Sequence, residues 1–120
     1  MPLSMPFRPG DLVVVLLQSP RERIWGRILG LDASGIALRG VDLVPWEEVL
    51  TLVRRGEADQ VALGTRFIPM HRVETLYLDE PSSGAPSLAD TFRDRTDRDP
   101  HDFLADPPSP KPSSRHRRNP

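Results

Sequence analysis

Hydrophobic and polar positions alternate most regularly between Arg23 and Val41. Ile24, Gly26, Ile28 and Gly30 interleave with Trp25, Arg27, Leu29 and Leu31. Asp32-Ala33-Ser34-Gly35 breaks the run, and Ile36, Leu38 and Gly40 then interleave with Ala37, Arg39 and Val41. A period of two interrupted by a turn-forming tetrapeptide predicts a β-hairpin. Glycine inside a strand costs stability unless a bend or a close backbone approach requires it, so Gly26, Gly30 and Gly40 predict a strongly curved sheet such as a small barrel. Ahead of the hairpin, Leu12 to Leu17 is unbroken Leu and Val. Such a run suits a strand, reaching to Gln18, that is covered on both faces or meets a neighbouring subunit with its outer face. Pro9-Gly10-Asp11 supplies the turn into it, and Ser19-Pro20-Arg21-Glu22 the loop out of it.

After Val41 the period changes. Trp46, Val49, Leu50 and Val53 fall at i, i+3, i+4 and i+7, the spacing of one helix face. Pro45 suits a first turn, Glu47 and Glu48 the positive end, Arg54 and Arg55 the negative end, and Gly56 the position just past it, so a short helix is predicted over Trp46 to Arg55. Glu57 to Gly64 reads as a loop, Thr65 to Ile68 as a fourth strand, Pro69-Met70-His71-Arg72 as a corner, and Val73 to Leu78 as a fifth strand.

From Asp79 onward the composition shifts to Pro, Ser and charge, which divides the chain into a folded unit over 1–80 and a largely disordered tail over 81–120. Two islands interrupt the tail. Ser87 and Asp90 resemble a capping box ahead of Phe92, and Asp99-Pro100 can open a turn before Phe103 and Leu104, so short helical turns are expected at 87–95 and 99–105. Each can dock on the folded unit or on a partner.

A folded unit of roughly 80 residues has a small core, and oligomerisation is a natural remedy for its marginal stability. Net charge is −1, and residues 1–80 hold nine Arg against eleven Asp and Glu. That balance lacks the positive excess of a general DNA binder. The chain has no cysteine, which removes disulfides, thiolate metal sites and cysteine nucleophiles. The amino terminus lacks the pattern of a secretory signal, and Leu12 to Leu17 is far too short to span a bilayer, so a cytoplasmic protein without membrane contact is expected.

No catalytic constellation is present. Glu47 and Glu48 diverge as helix neighbours, Ser34 sits in a turn, and His71, His101 and His116 lie in a corner, an acidic stretch and a basic stretch without metal-ligand spacing. A non-enzyme with no cofactor and no metal is expected. His71 and Arg72 admit two readings: stacking on a base and pairing with a phosphate, or bonding the corner backbone and an acidic neighbour. Trp25 and Trp46 are either partner anchors or core packing.

Gly26-Arg27-Ile28-Leu29-Gly30-Leu31-Asp32 is similar to the first Sm motif, and Phe67-Ile68-Pro69-Met70-His71-Arg72-Val73-Glu74-Thr75-Leu76 looks like the second. Over roughly Asp11 to Asp79 the chain thus resembles the Sm and Hfq family of ring-forming small barrels. Asp32 matches the aspartate of the first motif. Ile36 stands where Sm proteins place the base-contacting asparagine, Pro69-Met70 where they carry Arg-Gly, and of the Hfq pattern Tyr-Lys-His only His71 is kept. The resemblance implies a mainly β fold, a small, strongly bent five-stranded antiparallel Sm-like barrel; the short helix over Trp46 to Arg55 is an insertion into that pattern, the family's amino-terminal helix is missing, and the composition of the C-terminal tail makes it disordered. It implies pairing of the last two strands between subunits in a homo-oligomeric ring and RNA bound at the ring's inner rim or faces; on the residues of this chain, single-stranded RNA is expected near Asp32, His71 and Arg72, with Lys111, Arg115, Arg117 and Arg118 of the tail as further contacts. The competing expectation is a protein-interaction scaffold that docks a partner through Trp46, Phe92 and Phe103 and binds no RNA.

Overall fold

The computed structural model of the protein describes residues 6–105. Five strands, β1 (Leu12–Leu17), β2 (Glu22–Asp32), β3 (Gly35–Asp42), β4 (Gly64–Pro69) and β5 (Val73–Leu78), form one sheet in the order β4-β3-β2-β1-β5. Every neighbouring pair is antiparallel. A helix α1 (Trp46–Arg54) and a 3-10 turn (Ala58–Gln60) connect β3 to β4, and a second 3-10 turn (Met70–Arg72) makes the corner between β4 and β5. Helices α2 (Leu88–Thr96) and α3 (Pro100–Phe103) follow the last strand.

Alternation along the strands fills two separate cores. Val13, Val15, Leu17, Ile24, Ile28, Ile36, Leu38 and Ile68 pack on one face with no helix among them. Side chains from strands of one sheet cover each other in this way only if the sheet curls around that face, which is therefore the inner one. Hydrogen bonds report how tight the curl is. Straight, the 11 residues of β2 would span roughly 35 Å. Yet the Met70 N–H donates to the Ser34 carbonyl beyond one end of β2 at 2.9 Å, and the Arg72 carbonyl accepts from the Gln18 N–H before its other end at 2.9 Å. Met70 and Arg72 are two residues apart, a reach of about 7 Å at most.

Two glycines and a bulge make the bend possible. Gly26 and Gly40 face each other across β2 and β3. A Cβ on Gly40 would lie 2.4 Å from the Trp25 carbonyl oxygen, and one on Gly26 2.7 Å from that of Arg39, so both strands need bare backbone at this crossing. The register shifts between Ile28 and Gly30, and the extra residue changes the phase of the strand. Leu31, opposite Ile36, rejoins the inner core, whereas simple alternation would have placed Gly30 there.

The sheet curls without closing into a barrel, which corrects the expected architecture. No ladder joins β4 to β5 among the described residues. Each is antiparallel to its only neighbour, so along the sheet the two run in the same sense, and adjacent parallel strands require a crossover of a dozen residues or more. A three-residue corner is too short for that. Both strands remain edges.

The second core lies on the outer face. Val14, Trp25, Val41 and Leu43 meet Val49, Leu50 and Val53 of α1, Ala89 and Phe92 of α2, and Leu104. The unbroken apolar run of β1 is explained by this: its odd and even positions serve different cores. Trp25 stacks edge-on with Trp46 (centroids 5.2 Å apart) and tilted with Phe92 (5.5 Å), which in turn meets Phe103 (4.9 Å). Such pairs add about 0.5–1.5 kcal/mol each beyond the area they bury.

Polar contacts tie α2 and α3 down. The Asp79 carboxylate, just past β5, accepts from Trp25 Nε1 at 2.9 Å and from the N–H groups of Leu88 at 2.7 Å and Ala89 at 2.8 Å. It satisfies exposed donors at the start of α2 and orients the central aromatic ring at once. The Ser87 hydroxyl accepts from the Asp90 N–H, as the capping box predicted. At the far end Arg27 Nε donates to the Leu104 carbonyl (3.1 Å) and Arg39 Nε to that of Ala105 (2.8 Å). Helices α2 and α3 thus dock on the sheet, with Ala89, Phe92 and Leu104 in the outer core.

Candidate functional site

The corner between β4 and β5 and the two free edges it links carry most of the exposed features of interest. Pro69 ends β4 and opens the 3-10 turn in extended backbone. His71 is exposed at its centre, and its carbonyl accepts from the Gln18 side-chain amide at 3.4 Å. Asp32 reaches the neighbourhood of the corner because the β2–β3 turn bonds Met70 through Ser34.

Asp32 and Arg72 are occupied by their own surroundings. The Asp32 carboxylate accepts from the Ser34 hydroxyl at 2.6 Å and the Ser34 N–H at 2.8 Å. These bonds hold its pKa below the ordinary carboxylate value, the hydroxyl contributing most. It shapes the turn. Arg72 donates to the carbonyls of Gln18 (3.2 Å) and Pro20 (2.7 Å) and to Glu22 (3.1 Å). Glu22 also accepts from Arg66 of β4 at 3.0 Å. One carboxylate therefore bridges β4 to the corner, and its pKa is lowered by the Arg66 bond first and the Arg72 bond second. Of the three residues expected at an RNA site, His71 alone presents its side chain to solvent without a described partner.

Phe92 is fully buried between Trp25 and Phe103, Phe103 is half-buried against it, and Trp46 is half-buried on Trp25. These rings complete the protein's own outer core, so in this arrangement Phe92 is out of a partner's reach. Lys111, Arg115, Arg117 and Arg118 lie outside the described residues. Among the described residues no cluster of His, Asp or Glu is placed to hold a metal ion, and no helix is long and apolar enough to cross a membrane.

Sequence reasoning passed over the two edge aromatics. Phe67 of β4 is 59% exposed and Tyr77 of β5 is 47% exposed. Phe67 pairs with Ala37 and Tyr77 with Val14, which places both rings on the outer face. Their positions in the alternation, out of phase with Ile68 and Leu76, carried the signal. Beside Tyr77 runs a groove of about 360 Å³ walled by Leu43, Leu78, Pro86 and Leu88. A second hollow, of about 410 Å³, lies between α1 and α3 over Val53, Leu63 and Phe103, with Asp59 and Asp102 at its margin.

Compared with protein-family models, with curated proteins and with solved structures, the chain matches none.

Proposed function

We propose that this protein is a non-enzymatic, Sm-like binding module of the cytoplasm that assembles head to tail into a ring through β4 and β5. The observation that carries this reading is the strand order: the two strands that the resemblance pairs between subunits are the two left as edges. They have equal lengths of six residues and hang from opposite sides of one curled sheet. An unpaired edge exposes a row of N–H and C=O groups, and joining one edge of a chain to the other edge of the next satisfies both with a single repeated contact. Static light scattering across a concentration series tests it. The expected mass is a fixed multiple of 13.5 kDa, and a monomer mass at tens of micromolar would remove the ring.

RNA at the corner is the ligand this reading favours, through His71, whose ring is exposed for stacking. Binding of a uridine-rich or adenosine-rich oligonucleotide should weaken with rising salt and fall in His71→Ala. Arg72→Ala is the poorer test, because Arg72 also holds the corner to the β1–β2 turn. A scaffold that binds protein and no RNA is the second reading. It is favoured by the charge of residues 6–105, sixteen acids against twelve arginines, and by the engagement of Arg72 with Glu22. Co-purification from native extract with and without ribonuclease separates the two.

A further inference from the structure

We infer that the joint between copies is an aromatic one, in which Phe67 of one chain packs on Tyr77 of the next at the outer-face groove beside β5. The inference rests on the head-to-tail reading and adds to it which side chains make the contact, and that the segment leading into α2 belongs to the joint.

Phe67 is held ready for such a contact. Gly35 of β3 lies beneath its ring: a Cβ there would come within 2.6 Å of Phe67 Cζ. The ring rests on bare backbone on one side and leaves its other side uncovered, which accounts for its 59% exposure. An isolated exposed phenylalanine is unremarkable on a protein surface. This one is the middle outward-facing residue of an edge strand, flanked on the same face by Thr65 and Pro69.

The opposite edge offers the complement. Side chains of a strand alternate between faces, so a β4 strand added to the β5 edge with its outer face outward turns Phe67 toward the surface that carries Tyr77. The Tyr77 ring stands at a groove floored by Val14 and walled by Leu43, Pro86 and Leu88, with Arg23 and Glu80 at its polar rim. Leu88 is the first residue of α2, and Asp79 fixes its N–H, so the wall is built by the same bonds that dock the helix. An apolar centre with a charged rim is the anatomy of a specific protein contact. The occupant is a second copy of this chain, because the complementary aromatic lies on its own free edge. A symmetric face-to-face dimer would instead place like edges together and leave the other edge of each chain open.

The chain has no cysteine, so single cysteines can be introduced without background. Chains carrying Thr65→Cys and chains carrying Thr75→Cys, exposed positions beside the two rings that leave both rings in place, are co-expressed, purified and treated with a flexible bis-maleimide. Covalent dimers are expected in the mixture and in neither single variant alone. Phe67→Ala should raise the concentration needed for assembly by more than about tenfold with an unchanged far-UV spectrum. Cross-linking within either variant alone would overturn the inference in favour of a symmetric contact. An assembled wild-type protein that shows no cross-link in the mixture would overturn the joint and leave the ring, whereas a monomeric wild-type protein would remove both.

Discussion

The inner face of the sheet is packed by its own strands with aliphatic side chains, from Val13 to Ile68, whereas the outer face is completed by helices and by the aromatic row Trp46, Trp25, Phe92 and Phe103. The inner core needs the backbone to bend and needs nothing beyond β5. The outer core needs residues that arrive late in the chain and must be tied back across it, by Asp79 at one end and by Arg27 and Arg39 at the other. One set of strands thus supports two cores of different origin, one made by curvature and the other by a docked arm.

Both tryptophans belong to the outer core, so their fluorescence reports on that face while far-UV circular dichroism follows the sheet. In the wild-type protein the two signals should be lost together during urea unfolding, as expected of a single cooperative unit. Phe92→Ala should break that coincidence. It empties a fully buried site between two rings, costs about 3–5 kcal/mol, and should move the fluorescence transition to lower urea than the dichroism transition. Coincident, equally shifted transitions would mean that the cores are one.

The bend of β2 and β3 is probed by its glycines. Gly40→Ala drives a methyl group into the Trp25 carbonyl and should cost about 1–3 kcal/mol by forcing β2 and β3 apart, whereas nothing lies within 4 Å of a Cβ on Gly30, where Ala should stay within about 0.5 kcal/mol of wild type. Denaturation midpoints of the two variants compare them directly. Asp79→Ala acts on the outer face alone: it strips Trp25 Nε1 and two helix N–H groups of their acceptor, at about 1–3 kcal/mol. Amide exchange should quicken at Ala89 to Arg93 and stay slow in β2 and β3.

The smallest effect is expected at Glu22, whose bonds to Arg66 and Arg72 support the curl. Its folded-state pKa is depressed, so the stabilisation is present above its ordinary value of 4.5 and is lost as pH falls below it. The loss should be about 1 kcal/mol in size. It should shrink in Arg66→Ala when unfolding free energies are measured across the acid range.

Local pattern made the elements legible. The hairpin, the helix from Trp46, the fifth strand over Val73 to Leu78 and both caps, Ser87 and Asp99, follow from residues within a turn or two of each other. What pattern did not carry is pairing at a distance. Trp25 and Asp79 are 54 residues apart, and Glu22 and Arg66 are 44 apart, so nothing near any of these four residues announces its partner. Phe92 sits in a stretch whose composition is that of a flexible tail, and its burial depends on a surface prepared by β1, β2 and α1. The bulge at Leu29 also escaped strict alternation, because an inserted residue leaves no mark on a period-two pattern except its failure. At the candidate site the corner itself was legible, while the engagement of Asp32 and Arg72 by neighbours from other turns was not.

The corner that meets both ends of β2 bears on how the chain comes off the ribosome. β1, β2 and β3 are complete by Asp42, but the residues that fasten the curl, Met70 and Arg72, are made some thirty residues later. Until then the aliphatic face of the three-stranded meander has no closing contact, and the long sequence separations of the corner bonds favour slow completion. For that interval during synthesis the nascent chain exposes its most apolar strand, Leu12 to Leu17, along with an open edge, which makes the first 70 residues the stretch most in need of a chaperone's cover.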